Sequence, residues 1–159
     1  IFYCHSDLIP QVHPAVVGWM NMIDAHNFGN YRFEFREDAR RFEPGTYNVP
    51  GLLAMGASIE FILEVGIDNV WDRVEALTAR LCEGLEQKGY RIFSPRDRAE
   101  ERSAIVIFEP PEHAPEPEKI VQQLAQQHIH IVTREGRLRA SPHFYNTPEQ
   151  MDALVEALP

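Results

Sequence analysis

The pattern of apolar and polar residues changes character at Pro50. Before it, residues 1–5 predict a short apolar strand. Residues 10–50 show no sustained period and are rich in proline, glycine and aromatic residues. After it, residues 52–65 are almost entirely apolar and predict a helix that is buried on nearly all sides and ends at Gly66. A long irregular stretch followed by a buried helix is typical of a functional loop or of a surface covered by a partner.

A second, longer helix is predicted over residues 68–88, because its leucines and valines recur at helical spacing. Asp68 is the expected N-cap, and Gly89 suits the left-handed position just beyond the last turn. At this length the helix could bridge two lobes.

The remainder alternates between strand and helix patterns and predicts a small sheet packed by helices. Two proline-led segments open helices, and the second has a capping box formed by Thr147 and Gln150. The predicted elements are strands over 103–108, 129–133 and 137–141, a turn at 134–136, a helix after Pro115 and Pro117, and a final helix after Thr147.

Composition narrows the function without naming it. The chain has 159 residues, 44% apolar and 25% charged, which is typical of a folded globular protein. A net charge of −9 argues against nucleic acid as a partner, and no membrane-spanning run occurs. Cys4 and Cys82 have no disulfide or metal-ligand spacing, which favours the cytoplasm. Lysine occurs only at Lys88 and Lys119.

Two positions are candidates for binding anions. Gly45 and Thr46 lie in an irregular loop, where backbone N–H groups and a hydroxyl could approach a phosphate, although such pairs are usually ordinary turns. On the predicted strand, the side chain of Arg139 points to the opposite face from those of Leu138 and Ala140. An arginine fixed in this way can bind a carboxylate through two hydrogen bonds. The alternative is that Arg137 and Arg139 simply point to solvent.

Two separated segments carry a resemblance to a known family. Arg41-Phe-Glu-Pro-Gly-Thr-Tyr-Asn48, followed by an apolar helix, and Arg139-Ala-Ser-Pro-His-Phe-Tyr-Asn-Thr147, before the final helix, occur in this order about ninety residues apart. Together they resemble the C-terminal portion of class V aminotransferases and cysteine desulfurases, and the resemblance covers essentially the whole chain. It implies an α/β, fold type I enzyme that depends on pyridoxal 5′-phosphate (PLP).

The resemblance implies roles for particular residues. Gly45 and Thr46 would reach the cofactor phosphate of the neighbouring subunit in a homodimer, and Arg139 would hold the α-carboxylate of an amino-acid substrate. Residues 1–67 would be a remnant of the large cofactor-binding domain, and residues 68–159 the bridging helix and the small α+β domain. The Schiff-base lysine would lie upstream of the chain, so no catalytic residue is assigned here and the isolated chain is expected to be inactive.

The sequence departs from the desulfurase pattern at one point. The segment 131–138, where a nucleophilic cysteine would precede the carboxylate-binding arginine, contains no cysteine. This favours an aminotransferase, an epimerase or a β-elimination lyase of the same family. His128 and His130 share a predicted strand face, but no third metal ligand is suggested, so no metal site is assigned.

The competing hypothesis is a non-catalytic module that binds a carboxylate ligand or a protein partner. The helix over residues 52–65 separates the two. A standalone module should cover its apolar surface within the chain, whereas a portion of a larger domain should leave a large apolar patch exposed.

Overall fold

The computed structural model describes residues 1–29 and 31–159 and divides into two compact units, residues 1–57 and residues 58–159. The helices and strands are α1 (Val49–Val65), α2 (Ile67–Gln87), β1 (Arg91–Ile92), β2 (Val106–Glu109), α3 (Pro117–Gln126), β3 (Val132–Arg134), β4 (Arg137–Ala140) and α4 (Pro148–Ala157). Short 3-10 helices occur at Ser6–Gln11, Trp19–Asn21, Ala39–Phe42 and Ala99–Glu101.

The first unit is largely irregular, as the sequence predicts. The strand expected over residues 1–5 is wrong, because this segment pairs with no strand among the described residues. An isolated antiparallel bridge between Met22 and Phe35 is the one point where extended segments meet in the described part of this unit.

Helix α1 confirms the helix predicted after Pro50, but its predicted burial is wrong. Not one of its described residues is buried, and Leu53 and Leu63 are each 70% exposed. Most of its apolar side chains are therefore open to solvent, although the ring of Phe61 lies 5.7 Å from that of Phe144. Gly66, at a φ of +88°, ends the helix as predicted.

Helix α2 confirms the long helix, with Leu77, Leu81 and Leu85 as its buried stripe. The N-cap is Gly66 and not Asp68, since the helix begins one residue earlier, at Ile67, and places Asp68 in its first turn. Gly89 has a φ of +86°, which confirms the left-handed conformation expected after the last turn.

The second unit contains a four-stranded antiparallel sheet in the order β1-β2-β4-β3. Strands β3 and β4 form the predicted hairpin, whose two loop residues, Glu135 and Gly136, both have positive φ. Strand β1 has only two residues, too short for a period-2 pattern to show, and the sequence analysis missed it.

One face of the sheet packs against helices and forms the core. From the strands this core takes Val106, Phe108 and Leu138, all with no exposed surface. Helices α2, α3 and α4 supply most of the other members, and α4 begins with the predicted reciprocal capping box. The second unit thus combines helices with a small antiparallel sheet, and α2 forms part of its core, which confirms the predicted fold class.

No single helix of the described chain is long and apolar enough to cross a membrane. Only α1 and α2 taken together pass that test, and they are bent by 83° at the break between them.

Candidate functional site

Strand β4 presents alternate side chains to opposite faces of the sheet. Leu138 and Ala140 are buried in the core, and Arg137 and Arg139 project from the other face. The hairpin with β3 and the pairing with β2 hold β4 on both sides, so the two arginines lie on a rigid backbone. This confirms the alternation predicted from the sequence.

Arg139 lies between apolar register partners and forms no ion pair within the described part of the chain. Its register partners are Ile107 on β2 and Val132 on β3. The residue is half-buried, and its Nε is buried with no hydrogen-bond partner among the described residues. An unsatisfied, partly desolvated guanidinium favours an anion that accepts its hydrogen bonds. A carboxylate meets that requirement.

Arg137 is held quite differently. Its Nε donates to Oε1 of Glu109 at 2.6 Å, and its guanidinium lies 3.9 Å from the ring centroid of Phe93. Hydrogen bonds from Arg91 first, and then from Arg137, lower the pKa of the Glu109 carboxyl. The alternative that both arginines simply point to solvent is therefore wrong for Arg137. Glu109 and Phe93 were not identified by the sequence analysis, because their contacts with Arg137 depend on the strand order.

The turn between β4 and α4 has a structural role. Asn146 accepts a hydrogen bond from the backbone N–H of His143 at 2.8 Å and donates to Gln150 at 2.9 Å. Its carbonyl accepts a hydrogen bond from Arg73 on α2 at 3.0 Å. The ring of His143 stacks on that of Tyr145, with centroids 4.4 Å apart. These contacts fix the direction in which the chain leaves β4.

The other candidate, Gly45 with Thr46, lies in the first unit, whereas Arg139 lies in the second. Both residues lie shortly before α1, separated from its first residue by Tyr47 and Asn48. Asn48 accepts a hydrogen bond from the N–H of Gly51 at 3.1 Å. Thr46 is exposed, and a Cβ at Gly45 would meet no atom within 4 Å. A helix N-terminus of this length attracts anions, so the loop has the chemistry that a phosphate requires.

A buried asparagine holds this loop in place. Asn21 has no exposed surface, accepts from the N–H of Gly18 at 2.5 Å and donates to the carbonyl of Arg41 at 2.7 Å. Met20 N–H donates to the carbonyl of Pro44 at 3.3 Å. The sequence analysis missed Asn21, because a polar residue in a stretch without periodicity has no pattern that distinguishes it.

Neither lysine lies beside the candidate residues. The ammonium of Lys88 donates to the carbonyls of Val155 at 2.9 Å and Glu156 at 3.1 Å, and also to that of Leu158. Lys88 is an exposed residue whose ammonium caps the end of α4. Lys119 is exposed near the start of α3.

The remaining reactive groups form no further site in the part of the chain that the structure describes. Burial raises the pKa of the Cys82 thiol on α2, which disfavours the nucleophilic thiolate. His128 has a φ of +61° just after α3, so its predicted position on a strand face with His130 is wrong. No cluster of three metal-binding side chains occurs among residues 1–29 and 31–159.

Comparison with known proteins decides the family. The family model for aminotransferase class-V matches residues 1–154. The chain belongs to the class V aminotransferase and cysteine desulfurase family. A protein of Methanothermobacter thermautotrophicus named a probable cysteine desulfurase is 27% identical over 98% of this chain and 42% of its own length.

Solved structures share the fold of this class V chain. The apo cysteine desulfurase of Thermococcus onnurineus NA1 superposes with a TM-score of 0.83 at 23% identity, over 97% of this chain and 40% of that one. A mutant of the protein C-DES, with glycine covalently linked to its PLP cofactor, gives a TM-score of 0.80 at 22% identity, with the same coverage. The chain thus spans about 40% of the length of these relatives.

Proposed function

We propose that this chain is the C-terminal portion of a PLP-dependent enzyme that acts on an amino acid, and that the Schiff-base lysine belongs to a segment upstream of it. The observation that carries the proposal is Arg139, a cation without a counter-ion in the described chain, on the open face of a rigid strand. Its position within a family match over residues 1–154 supports the same role.

The residues present fit the cofactor. PLP, when bound, withdraws electrons from the Cα of the amino acid. The exposed hydroxyl of Thr46 and the positive end of the α1 dipole would hold its phosphate, and Gly45 leaves that approach open. Following the family pattern, this phosphate would belong to the second subunit of a homodimer. Arg139 would bind and orient the α-carboxylate of the substrate.

The exposed apolar surface of α1 supports a portion of a larger domain over a standalone module. Large apolar side chains line it, and soluble proteins rarely leave such a surface open. The exposed members are Val49, Leu52, Leu53, Met55, Ile59, Phe61 and Leu63. A module complete in itself would cover them, and the described chain does not. We therefore assign residues 1–67 to a large domain whose remaining part lies upstream, and residues 68–159 to the bridging helix and small domain.

For the reaction, we propose transamination, epimerisation or β-elimination at the amino acid. Residues 131–138 form β3, its hairpin turn and the start of β4, and they contain no cysteine to accept sulfur from a substrate. Cys82 is buried in α2 and is no substitute.

Both cysteines are free, which agrees with the proposed location in the cytoplasm.

A longer protein, expressed with its upstream coding sequence, tests the proposal. We expect it to retain PLP through dialysis, as measured by cofactor absorbance, and the 159-residue chain to retain none. In the longer protein, Arg139→Lys should raise the KM for the amino acid about tenfold or more, because lysine cannot make two parallel hydrogen bonds. Its PLP content should not change. A longer protein without PLP would contradict the enzyme class, and an unchanged KM would contradict the role of Arg139.

A further inference from the structure

Two arginines on β4 project from the same face of the sheet, but only one of them is held by neighbouring side chains. Arg137 and Arg139 are about 7 Å apart along the strand and project from the same face. Two free guanidinium groups at that spacing would bind a ligand with two carboxylates. The structure makes only one of them available.

Two contacts and partial burial hold Arg137 in place. Its Nε donates to Glu109 at 2.6 Å, its guanidinium lies 3.9 Å from the Phe93 centroid, and its side chain is only 29% exposed. Glu109 is itself fixed at its second oxygen, because Arg91 on β1 donates to Oε2 through Nε at 2.8 Å. Glu109 is thus the central member of a cross-strand row formed by Arg91, Glu109 and Arg137.

The neighbours of Arg139 within its own row are apolar. Ile107 and Val132 flank it across β2 and β3, and neither offers a charge to a second ligand group. Arg134 is the remaining cation nearby, but it lies opposite Arg137, at the exposed end of the hairpin. A ligand that reaches Arg139 therefore meets apolar side chains within its own row, and it meets a second exposed guanidinium only at Arg134, two positions along β3 from Val132.

We propose that Glu109 restricts the Arg139 site to ligands with a single carboxylate, by holding Arg137 on Phe93. This inference rests on the proposed function of Arg139 and narrows it: the substrate is an amino acid whose side chain is not acidic. Glu109 is a positioning residue, because it acts through Arg137 and does not touch the ligand.

Acetate and succinate are the probes for a test on the 159-residue chain. Binding is followed by NMR at the Nε–Hε signals of Arg137 and Arg139. In the unaltered chain we expect succinate to bind no more than about twofold more tightly than acetate, the statistical advantage of its two ends. In Glu109→Gln we expect succinate to gain about tenfold over acetate, since Arg137 becomes free to take the second carboxylate.

Two further variants isolate the cause. The double variant Glu109→Gln, Arg137→Gln should lose the gain, which separates Arg137 from Arg134. Asp152→Asn is the matched control: it also replaces the carboxylate of an arginine pair by an amide, but on α4, where the partner is Arg80, and should leave the ratio unchanged. A gain of equal size in this control would mean a general effect of charge and would overturn the proposal.

The remaining outcomes also decide the question. Strong preference for succinate in the unaltered chain, or no gain in Glu109→Gln while acetate still shifts the Arg139 signal, would overturn the role of Glu109 and leave the carboxylate site intact. If acetate shifts no Arg139 signal in any variant, the carboxylate site itself fails, and this inference fails with it.

Discussion

The Cα of Gly18 lies so close to Pro44 that a methyl group built on it would stand 2.0 Å from the Pro44 carbonyl oxygen. The obstacle is backbone and cannot rotate away, so a larger residue here forces the backbone to shift. Gly18 also donates its N–H to Asn21. The contacts of Gly18 with Pro44 and Asn21 therefore help to fix the segment that leads to Gly45 and Thr46.

We expect Gly18→Ala to destabilise the first unit by about 1–3 kcal/mol, the usual cost of overpacking. Urea unfolding would measure it, monitored by the fluorescence of Trp19 in a Trp71→Phe background. Trp71 lies on α2, in the second unit, so its removal leaves a signal from the first unit alone. An unchanged midpoint would contradict the close approach.

Gly45→Ala is the matched substitution in the same loop, with a different expected result. A Cβ at Gly45 would meet nothing within 4 Å, so we expect the unfolding free energy to change by no more than about 0.5 kcal/mol. In the longer, PLP-binding protein the added methyl group would crowd the proposed phosphate approach and weaken cofactor binding, measured by titration of the apoprotein. Unaltered cofactor affinity would argue against the phosphate role.

The sequence predicted the second unit better than the first, and the reason is physical. Helix α2, the β3–β4 hairpin and the capping box of α4 depend on local periodicity and turn chemistry, which are visible in one chain. The positions of Gly45, Thr46 and Arg139 came from motif resemblance, and their roles stay predictions. The loop anchored by Asn21 depends on contacts that join segments distant in sequence, and no local pattern encodes these.

The wrong prediction that α1 is buried has the same origin. An apolar helix predicts burial, but the pattern does not say which part of a protein covers it. The apolar composition of α1 predicts that some surface covers it, and the structure shows which of its side chains are exposed.

Replacing Leu53 and Leu63 by glutamine should reduce binding of a hydrophobic dye and self-association of the 159-residue chain, because each leucine is 70% exposed. Analytical ultracentrifugation and dye fluorescence would measure both. Val16→Gln serves as the control, since Val16 is similarly exposed, at 65%, but lies off this helix. In the longer protein the same two substitutions should instead lower stability, by the loss of buried apolar area. Equal dye binding in all variants would contradict the proposal that the exposed apolar surface of α1 packs against the rest of a larger domain.

Acid should weaken the α2–α4 contact. Arg80 donates to both oxygens of Asp152, at 2.7 and 2.6 Å, and these hydrogen bonds lower the pKa of the Asp152 carboxyl. A lowered folded-state pKa contributes stability that is present above the unfolded value, near pH 4, and is lost as the pH falls through the folded value. The effect should be small, since both side chains are about half exposed.

The melting temperature of Asp152→Asn, followed from pH 6 to pH 2, would measure that contribution. We expect its pH dependence below about pH 4 to be shallower than that of the unaltered chain. Parallel curves would mean that the pair contributes nothing to the acid response, and that other carboxyls with lowered pKa, such as Glu109, account for it.

The three carbonyls that hold the Lys88 ammonium have a practical consequence. Of the two lysine side chains, only Lys119 presents an amine with no bound partner among the described residues. Of the two lysines, Lys119 should consequently be the first that an amine-directed reagent modifies. A fluorophore or a surface linker could then be attached at one defined side chain, at the start of α3, without an engineered cysteine.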